Sequence, residues 1–171
     1  MDAAHLHLVL NHVPVLGTIF GLLLLLFGLM RREVVLVKTS LVVFVVSGVA
    51  AGAAYLTGEP AEEFVEHLAG VSAAAVESHE NAGFYALISA GVLGLFALGG
   101  LFFFNKRLPR PFAVTVVILA LAVGGMMAWT ANLGGQIRHS EIRSDAVTQQ
   151  TESGADPESF EPHDEDDEAD P

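Results

Sequence analysis

The hydrophobic residues are gathered into four long blocks separated by short polar stretches. The blocks cover about residues 6–30, 34–56, 74–104 and 112–137, and the third has a polar lead-in from Ser72. At about 1.5 Å per residue, each block can cross a hydrocarbon layer of ~30 Å as a helix, in which every backbone amide finds a partner. The pattern therefore predicts an all-α fold, with residues 1–143 forming a four-helix membrane domain.

The short polar stretches predict how these helices are arranged. Turns of a few residues favour antiparallel neighbours, so we expect an antiparallel four-transmembrane-helix bundle. Basic residues gather at two of the turns and mark them as cytoplasmic: Arg31, Arg32, Lys38, Lys106, Arg107 and Arg110. We therefore expect a multi-pass protein of the inner (plasma) membrane, with both termini on the outer side.

Composition and charge narrow the function classes. The chain of 171 residues has no cysteine, which excludes disulfides, thiolate metal sites, iron–sulfur clusters and covalently attached c-type haem. Of 20 acidic residues, eleven lie in 144–171, where there is no Lys or Arg. This predicts a disordered acidic tail over 144–171 and a nearly neutral membrane domain without a nucleic-acid-binding patch.

The loop at 57–71 carries the pattern of a short amphipathic helix on the outer surface. Pro60 suits the first turn of such a helix, and Glu62 and Glu63 complement its N-terminal dipole. A structural role for these acidic residues is the simpler interpretation.

The histidines are distributed asymmetrically in the predicted topology. Apart from His163 in the tail, all of them map to the outer side: His5, His7, His12, His67, His79 and His139. On the first helix, His5 and His12 share a face, whereas His7 points about 140° away from His12. Ionisable residues within membrane helices tend to be functional, so this asymmetry indicates a site at the outer end.

Two further patterns accompany the histidines. His79 begins a row of small residues at helical spacing, which leaves room for either a neighbouring helix or a flat macrocycle: Gly83, Ala86, Ala90, Gly94 and Ala97. The fourth helix carries a polar stripe at its outer end: Trp129, Asn132, Gln136 and His139. Trp129 in this position is typical of an interface anchor.

Neutral imidazole is a good ligand for haem iron and for copper or zinc. Two histidines on facing helices can hold b-type haem in a bundle core, and we predict His12 and His79 as its axial ligands. His7 or His139 is an alternative ligand or a supporting group, and Arg138 or Arg143 can pair with the haem propionates. Such a protein would transfer electrons, as a partner of other membrane redox subunits rather than as an enzyme in its own right.

The opening histidines also carry a family resemblance. The segment from His7 through His12 to Pro14 resembles the HPLxVHFP opening of a bacterial four-helix integral membrane family of unknown function, whose members look like b-type cytochromes. Leu8 and Val13 stand where that family has proline and phenylalanine.

Three later segments of the chain are similar to that family too: Thr57-Gly58, Glu77-Ser78-His79 and Gly134-Gly135-x-Ile137-x-His139. The resemblance therefore covers about residues 5–142. It implies a four-helix fold and haem binding. The positions that match are His7, His12, His79 and His139.

Two other functions stay open at this point. One is an outward-facing copper or zinc site made of His12 and His79 with Glu80 or Glu59. The other is a non-catalytic membrane subunit or scaffold. The sequence also leaves open whether the chain forms a homo-oligomer. A classical hydrolase is disfavoured, because the chain has no Gly-rich phosphate loop and no HExxH motif.

Overall fold

A computed structural model describes residues 3–66, 71–104 and 107–139, without the side chains of 64–66 and 138. Every regular element in these ranges is an α-helix: α1 Ala3–Arg31, α2 Val34–Leu56, α3 Gly58–Glu66, α4 Ala73–Phe103 and α5 Arg110–Arg138. They belong to one compact unit, Met1–Arg138, beyond which only His139 is described. The predicted acidic tail at 144–171 lies outside the described residues.

Four of these helices, α1, α2, α4 and α5, are long and apolar enough to cross a membrane. Their bounds lie close to those of the four hydrophobic blocks, so the prediction of an all-α chain with four such helices is confirmed for the described residues. Large apolar side chains are exposed along all four helices, as lipid-facing side chains are. These are the features of a multi-pass membrane protein.

The long helices form a closed bundle. α1 packs against α2, α2 against α4, and α4 against α5, while α5 returns to α1 in a smaller interface. α1 and α4 therefore stand diagonally across the bundle. The short helix α3 packs mainly on α1, with smaller contacts to α2 and α4. The predicted helix in the 57–71 loop is thus present over Gly58–Glu66.

The turn between α1 and α2 is two residues long. Arg32 adopts a left-handed φ of 58°, and the Glu33 amide donates to the Gly28 carbonyl at 2.9 Å, as in a helix C-terminal cap. At the start of α4, the Ser72 hydroxyl accepts a hydrogen bond from the Ala75 amide at 3.4 Å. These local bonds mark the end of α1 and the start of α4.

Small residues set the close helix contacts. A Cβ added at Gly28 would lie 2.9 Å from the Val37 backbone nitrogen, and one at Gly21 would lie 2.7 Å from the Phe44 ring. Between α2 and α4, a Cβ at Gly48 would lie 3.0 Å from the Ala90 carbonyl oxygen. The bundle is therefore packed tightly along these two interfaces, as small residues allow in membrane helices.

The centre of the bundle is apolar, with Leu25, Leu41, Phe44 and Leu93 almost completely buried. The few buried hydroxyl groups have partners. Ser40 donates to the Val37 carbonyl at 2.7 Å, and Thr18 on α1 donates to the Met127 sulfur on α5 at 3.6 Å. No buried side-chain polar atom in the described part of the chain lacks a hydrogen bond.

Candidate functional site

His7 is half-buried on α1 and reaches the end of α2. Its Nδ1 lies 2.9 Å from the Ala54 carbonyl oxygen and 3.3 Å from the Thr57 hydroxyl. A carbonyl oxygen only accepts, so Nδ1 carries a proton and donates it to Ala54. In the neutral ring, Nε2 then holds a lone pair.

His79 is the counterpart of His7 on α4 and is also half-buried. Its Nδ1 donates to the Thr130 carbonyl oxygen of α5 at 3.0 Å. The ring lies directly against Gly134, where an added Cβ would be 2.9 Å from the imidazole Cε1. The ring can therefore lie against α5 because Gly134 has no side chain.

The two rings meet across the bundle, and we call them the histidine pair. Their centroids are 6.4 Å apart and their planes are perpendicular, at 89°. The rings come from the diagonal helices α1 and α4, and each bonds a carbonyl of the next helix in the chain, α2 or α5. The histidine pair thus connects all four long helices at one end of the bundle.

The heptad spacing of small and apolar residues explains why these two histidines point inward. On α1, His7 is followed at intervals of seven by Pro14, Gly21 and Gly28, all of which are buried. On α4, His79 is followed in the same way by three residues that are also buried: Ala86, Leu93 and Gly100. Seven residues make about two turns, so each histidine lies on the packed face of its helix.

His12 does not join the histidine pair. Its ring is exposed, and its Nδ1 donates to the Leu8 carbonyl one turn earlier in the same helix. The residues that follow His12 at intervals of seven, Ile19 and Leu26, are exposed as well. On α1, therefore, the ring that faces His79 belongs to His7, the alternative ligand of the sequence prediction, rather than to His12.

The other predicted site residues do not belong to the histidine pair. Glu59 and Glu80 are exposed. Asn132 and Gln136 lie one turn apart on α5 and share a hydrogen bond of 2.8 Å, which keeps this part of the polar stripe together. His139 follows α5 and is exposed, whereas the Arg138 side chain, His67 and Arg143 lie outside the described residues.

The predicted copper or zinc ligands are not clustered in the structure. No group of three or more His, Cys, Asp or Glu side chains that could hold a metal ion occurs among the described residues. The histidine pair offers two nitrogen ligands, whereas protein zinc sites use three or four protein ligands. A metal site made of His12, His79 and Glu80 would need His12 to face His79.

The row of small residues after His79 has two different surroundings. Towards the middle of the bundle it packs against α2, where a Cβ at Gly94 would lie 3.6 Å from the Phe44 carbonyl oxygen. One turn from His79, a Cβ at Gly83 would meet nothing within 4 Å. The row is thus a helix-packing surface for most of its length, with open space only next to the histidine.

Sequence reasoning missed the groups that hold the two rings in place. Ala54 and Thr130 contribute backbone carbonyls, which no side-chain pattern can indicate. Thr57 and Gly134 were noticed only as parts of short motifs. The heptad of Pro14, Gly21 and Gly28 behind His7 was the signal that could have identified the inward-facing histidine.

The comparisons with known proteins found no match for this chain among protein families, curated proteins or solved structures.

Proposed function

We propose that this chain is a membrane protein of the b-type cytochrome kind, which binds haem b between His7 and His79 and transfers electrons. The observation that carries the proposal is the histidine pair itself. Two imidazoles from diagonal helices meet at the end of the bundle, and each is oriented by a backbone carbonyl of another helix.

The tautomer of both rings suits iron ligation. Metal-ligating histidines almost always donate their second ring nitrogen to a carbonyl or carboxylate, which fixes the ring and raises its basicity. His7 and His79 both donate Nδ1–H to a carbonyl. Neither Nε2 has a hydrogen-bond partner among the described residues, so both lone pairs are available.

The spacing of the two rings also fits one shared metal atom. If both rings bound one metal atom through Nε2, with bonds of about 2.0 Å, their centroids would lie up to roughly 6 Å apart. The observed separation is 6.4 Å. The two ring planes are perpendicular, and each ring is held in that orientation by its hydrogen bond to a carbonyl.

Haem fits the histidine pair better than a copper or zinc ion does. Two protein nitrogens would suffice for haem, because the porphyrin would supply the other iron ligands. A zinc ion would need further side chains, and none of the described acidic or sulfur-containing residues completes such a group. One turn from His79, a Cβ at Gly83 would meet nothing within 4 Å, and a flat apolar ring in this open space would add apolar burial.

Haem would supply one-electron chemistry, and the residues of this chain would hold and tune it. His7 and His79 would fix the iron. Their carbonyl partners, Ala54 and Thr130, would set how strongly the imidazoles donate to it. Arg138 or Arg143 would pair with the haem propionates, as the sequence predicts. A separate membrane redox subunit would provide or receive the electron.

We also propose an antiparallel bundle in the plasma membrane with both termini and the histidine pair on the outer side. The close contacts support this order for α1 and α2. His7, early in α1, lies opposite Ala54, late in α2, and Gly28, late in α1, lies opposite Val37, early in α2. Exposed basic residues at the opposite end support a cytoplasmic location for it: Arg31, Arg32, Arg107 and Arg110.

A reduced-minus-oxidised optical spectrum of the full chain, purified in detergent from haem-replete cells, tests the proposal. We expect a Soret shift and an α-band in the unaltered protein, and loss of both in His7→Ala and His79→Ala. His5→Ala, which changes an exposed histidine of the same helix, serves as the matched control and should keep the spectrum. Absence of an α-band from the unaltered protein would refute haem binding.

A scaffold function gives a different result in the same experiment. Under it, the histidine pair acts only as a hydrogen-bonded link between helices. The His7→Ala and His79→Ala proteins would then lose thermal stability, but the unaltered protein would contain no porphyrin by pyridine haemochrome assay.

A further inference from the structure

His12 occupies an unusual position for a histidine in a membrane helix. Ionisable side chains within membrane spans normally face the protein interior or a water-filled cavity. The ring of His12 instead faces away from the bundle. Its neighbours along the helix surface are exposed aliphatic side chains: Leu8, Val9, Val13 and Leu16.

His12 lies within the apolar part of the bundle rather than beyond its end. On one side of it along α1, His7 contacts Ala54, and on the other side Gly17 contacts the Ser47 hydroxyl. Both partners belong to the apolar helix α2. The position next to the His12 ring is therefore reached from the hydrocarbon phase.

The hydrogen bond within α1 defines what this ring can bind. Nδ1 donates to the Leu8 carbonyl, so the neutral ring presents Nε2 as an acceptor. No other hydrogen bond to His12 is formed by the described residues. An acceptor in an apolar phase without a partner is costly, and a donor dissolved in that phase would satisfy it.

We propose that His12 is a lipid-accessible binding site for an isoprenoid hydroquinone. A ring hydroxyl of the hydroquinone donates to Nε2 of His12, and the isoprenoid tail lies along the exposed aliphatic side chains. The choice of a hydroquinone over other hydroxyl-bearing lipids rests on the proposed function above. His12 lies five residues from His7 on the same helix, about 9 Å between Cα atoms by helix geometry, so a redox-active lipid bound there is close to the histidine pair.

The direction of the hydrogen bond predicts which redox form of the ligand binds more tightly. A hydroquinone has two O–H donors, whereas the oxidised quinone has only carbonyl acceptors and cannot donate to Nε2. The reduced form should therefore bind more tightly than the oxidised form. A net hydrogen bond of about 1 kcal/mol corresponds to roughly fivefold in affinity.

The test measures binding of a short-chain ubiquinol analogue and of its oxidised form to the full chain in lipid nanodiscs, under anaerobic conditions in mildly alkaline buffer. We expect roughly fivefold tighter binding of the reduced form to the unaltered protein. His12→Leu should lose this preference. His5→Leu, which changes an exposed histidine on the same face of α1, should keep it. A diacylglycerol, which has a hydroxyl group but no redox ring, should not displace the hydroquinone.

Three results would overturn the proposal: equal affinity for the two redox forms, an unchanged preference in His12→Leu, or displacement by diacylglycerol. Chemical cross-linking is done in parallel. A dimer that disappears in His12→Leu would assign the exposed ring to contact with a second copy instead. None of these binding measurements uses the haem spectrum. A missing α-band therefore refutes haem binding alone, and a missing redox preference refutes the hydroquinone site alone.

Discussion

The imidazole rings of His7 and His79 lie perpendicular to each other with centroids 6.4 Å apart, although 72 positions separate the two residues in the chain. Each ring is held by a carbonyl of a different helix, so neither can turn without losing a hydrogen bond. Two histidines held in this way present unprotonated Nε2 atoms in their neutral form. This is the arrangement from which the haem proposal follows.

Removal of one ring of the histidine pair should create a haem protein that depends on added imidazole. In His79→Gly, we expect loss of the α-band and its recovery when free imidazole is supplied, because the small molecule can occupy the vacated ligand position. The optical spectrum as a function of imidazole concentration measures this. A histidine with only a structural role would give no α-band at any imidazole concentration.

Thr57 should affect the midpoint potential of a haem bound by the histidine pair, although it is not itself a ligand. The Ala54 carbonyl accepts from both His7 Nδ1, at 2.9 Å, and the Thr57 hydroxyl, at 2.8 Å. The Thr57 oxygen, at 3.3 Å, is the more distant acceptor for Nδ1–H, so without the hydroxyl Nδ1–H donates to the Ala54 carbonyl alone. That carbonyl no longer accepts from Thr57 and interacts more strongly with His7, which would become a stronger donor to ferric iron. We expect Thr57→Val to lower the haem midpoint potential by roughly 20–40 mV, the one-electron equivalent of about 0.5–1 kcal/mol.

Potentiometric titration measures this shift, and Thr57→Ser is the matched control because it keeps the hydroxyl. The serine variant should retain the original potential. A potential that rises in Thr57→Val, or that moves equally in both variants, would contradict the assigned role of this hydrogen bond.

The sequence was sufficient to predict the four long helices but not the inward-facing histidine. Hydrophobic block length determines whether a segment can span a membrane, and that property is local. The direction in which a histidine points depends on which side of the helix is packed, and in lipid both the packed and the lipid-facing sides are apolar. His7 and His12 could therefore be distinguished only through the small residues that follow His7 at heptad intervals, Pro14, Gly21 and Gly28.

The carbonyl partners of the histidine pair were beyond sequence prediction for another reason. Every residue has a carbonyl, and those of Ala54 and Thr130 become relevant only when α2 and α5 pack next to the two rings. The sequence could not decide whether a helix fills the space along the row of small residues, because most of the row packs against α2 and only Gly83 has open space beside it. These features belong to the assembled bundle and not to any one helix.

Gly134 should be required for the position of the His79 ring. In Gly134→Ala, the added Cβ would lie 2.9 Å from Cε1 of His79, which would push the ring away from the Thr130 carbonyl. We expect weaker haem retention during purification, measured as haem per protein. Gly125→Ala on the same helix is the control, since its Cβ would meet nothing within 4 Å. Equal haem content in the two variants would show that this contact is unimportant.

The tight contact between α1 and α2 should control the stability of the bundle. In Gly28→Ala, the new Cβ would lie 2.9 Å from the Val37 backbone nitrogen, which cannot rotate away as a side chain could. Overpacking of this kind costs about 1–3 kcal/mol. Thermal unfolding in detergent should show a lower Tm than for the unaltered protein, whereas Gly91→Ala, which meets nothing within 4 Å, should unfold at the original temperature or above it.

Cysteine labelling should reveal the orientation of the chain, because the natural sequence contains no cysteine to confuse the result. Glu59 lies in the short helix α3 near the histidine pair, and Glu33 lies in the turn between α1 and α2; both are exposed. The proposed topology puts Glu59 outside and Glu33 inside. A membrane-impermeant maleimide added to intact cells should label Glu59→Cys but not Glu33→Cys, and it should label both once the membrane is permeabilised. The reverse pattern in intact cells would place the histidine pair on the cytoplasmic side, and electron exchange would then take place with cytoplasmic partners.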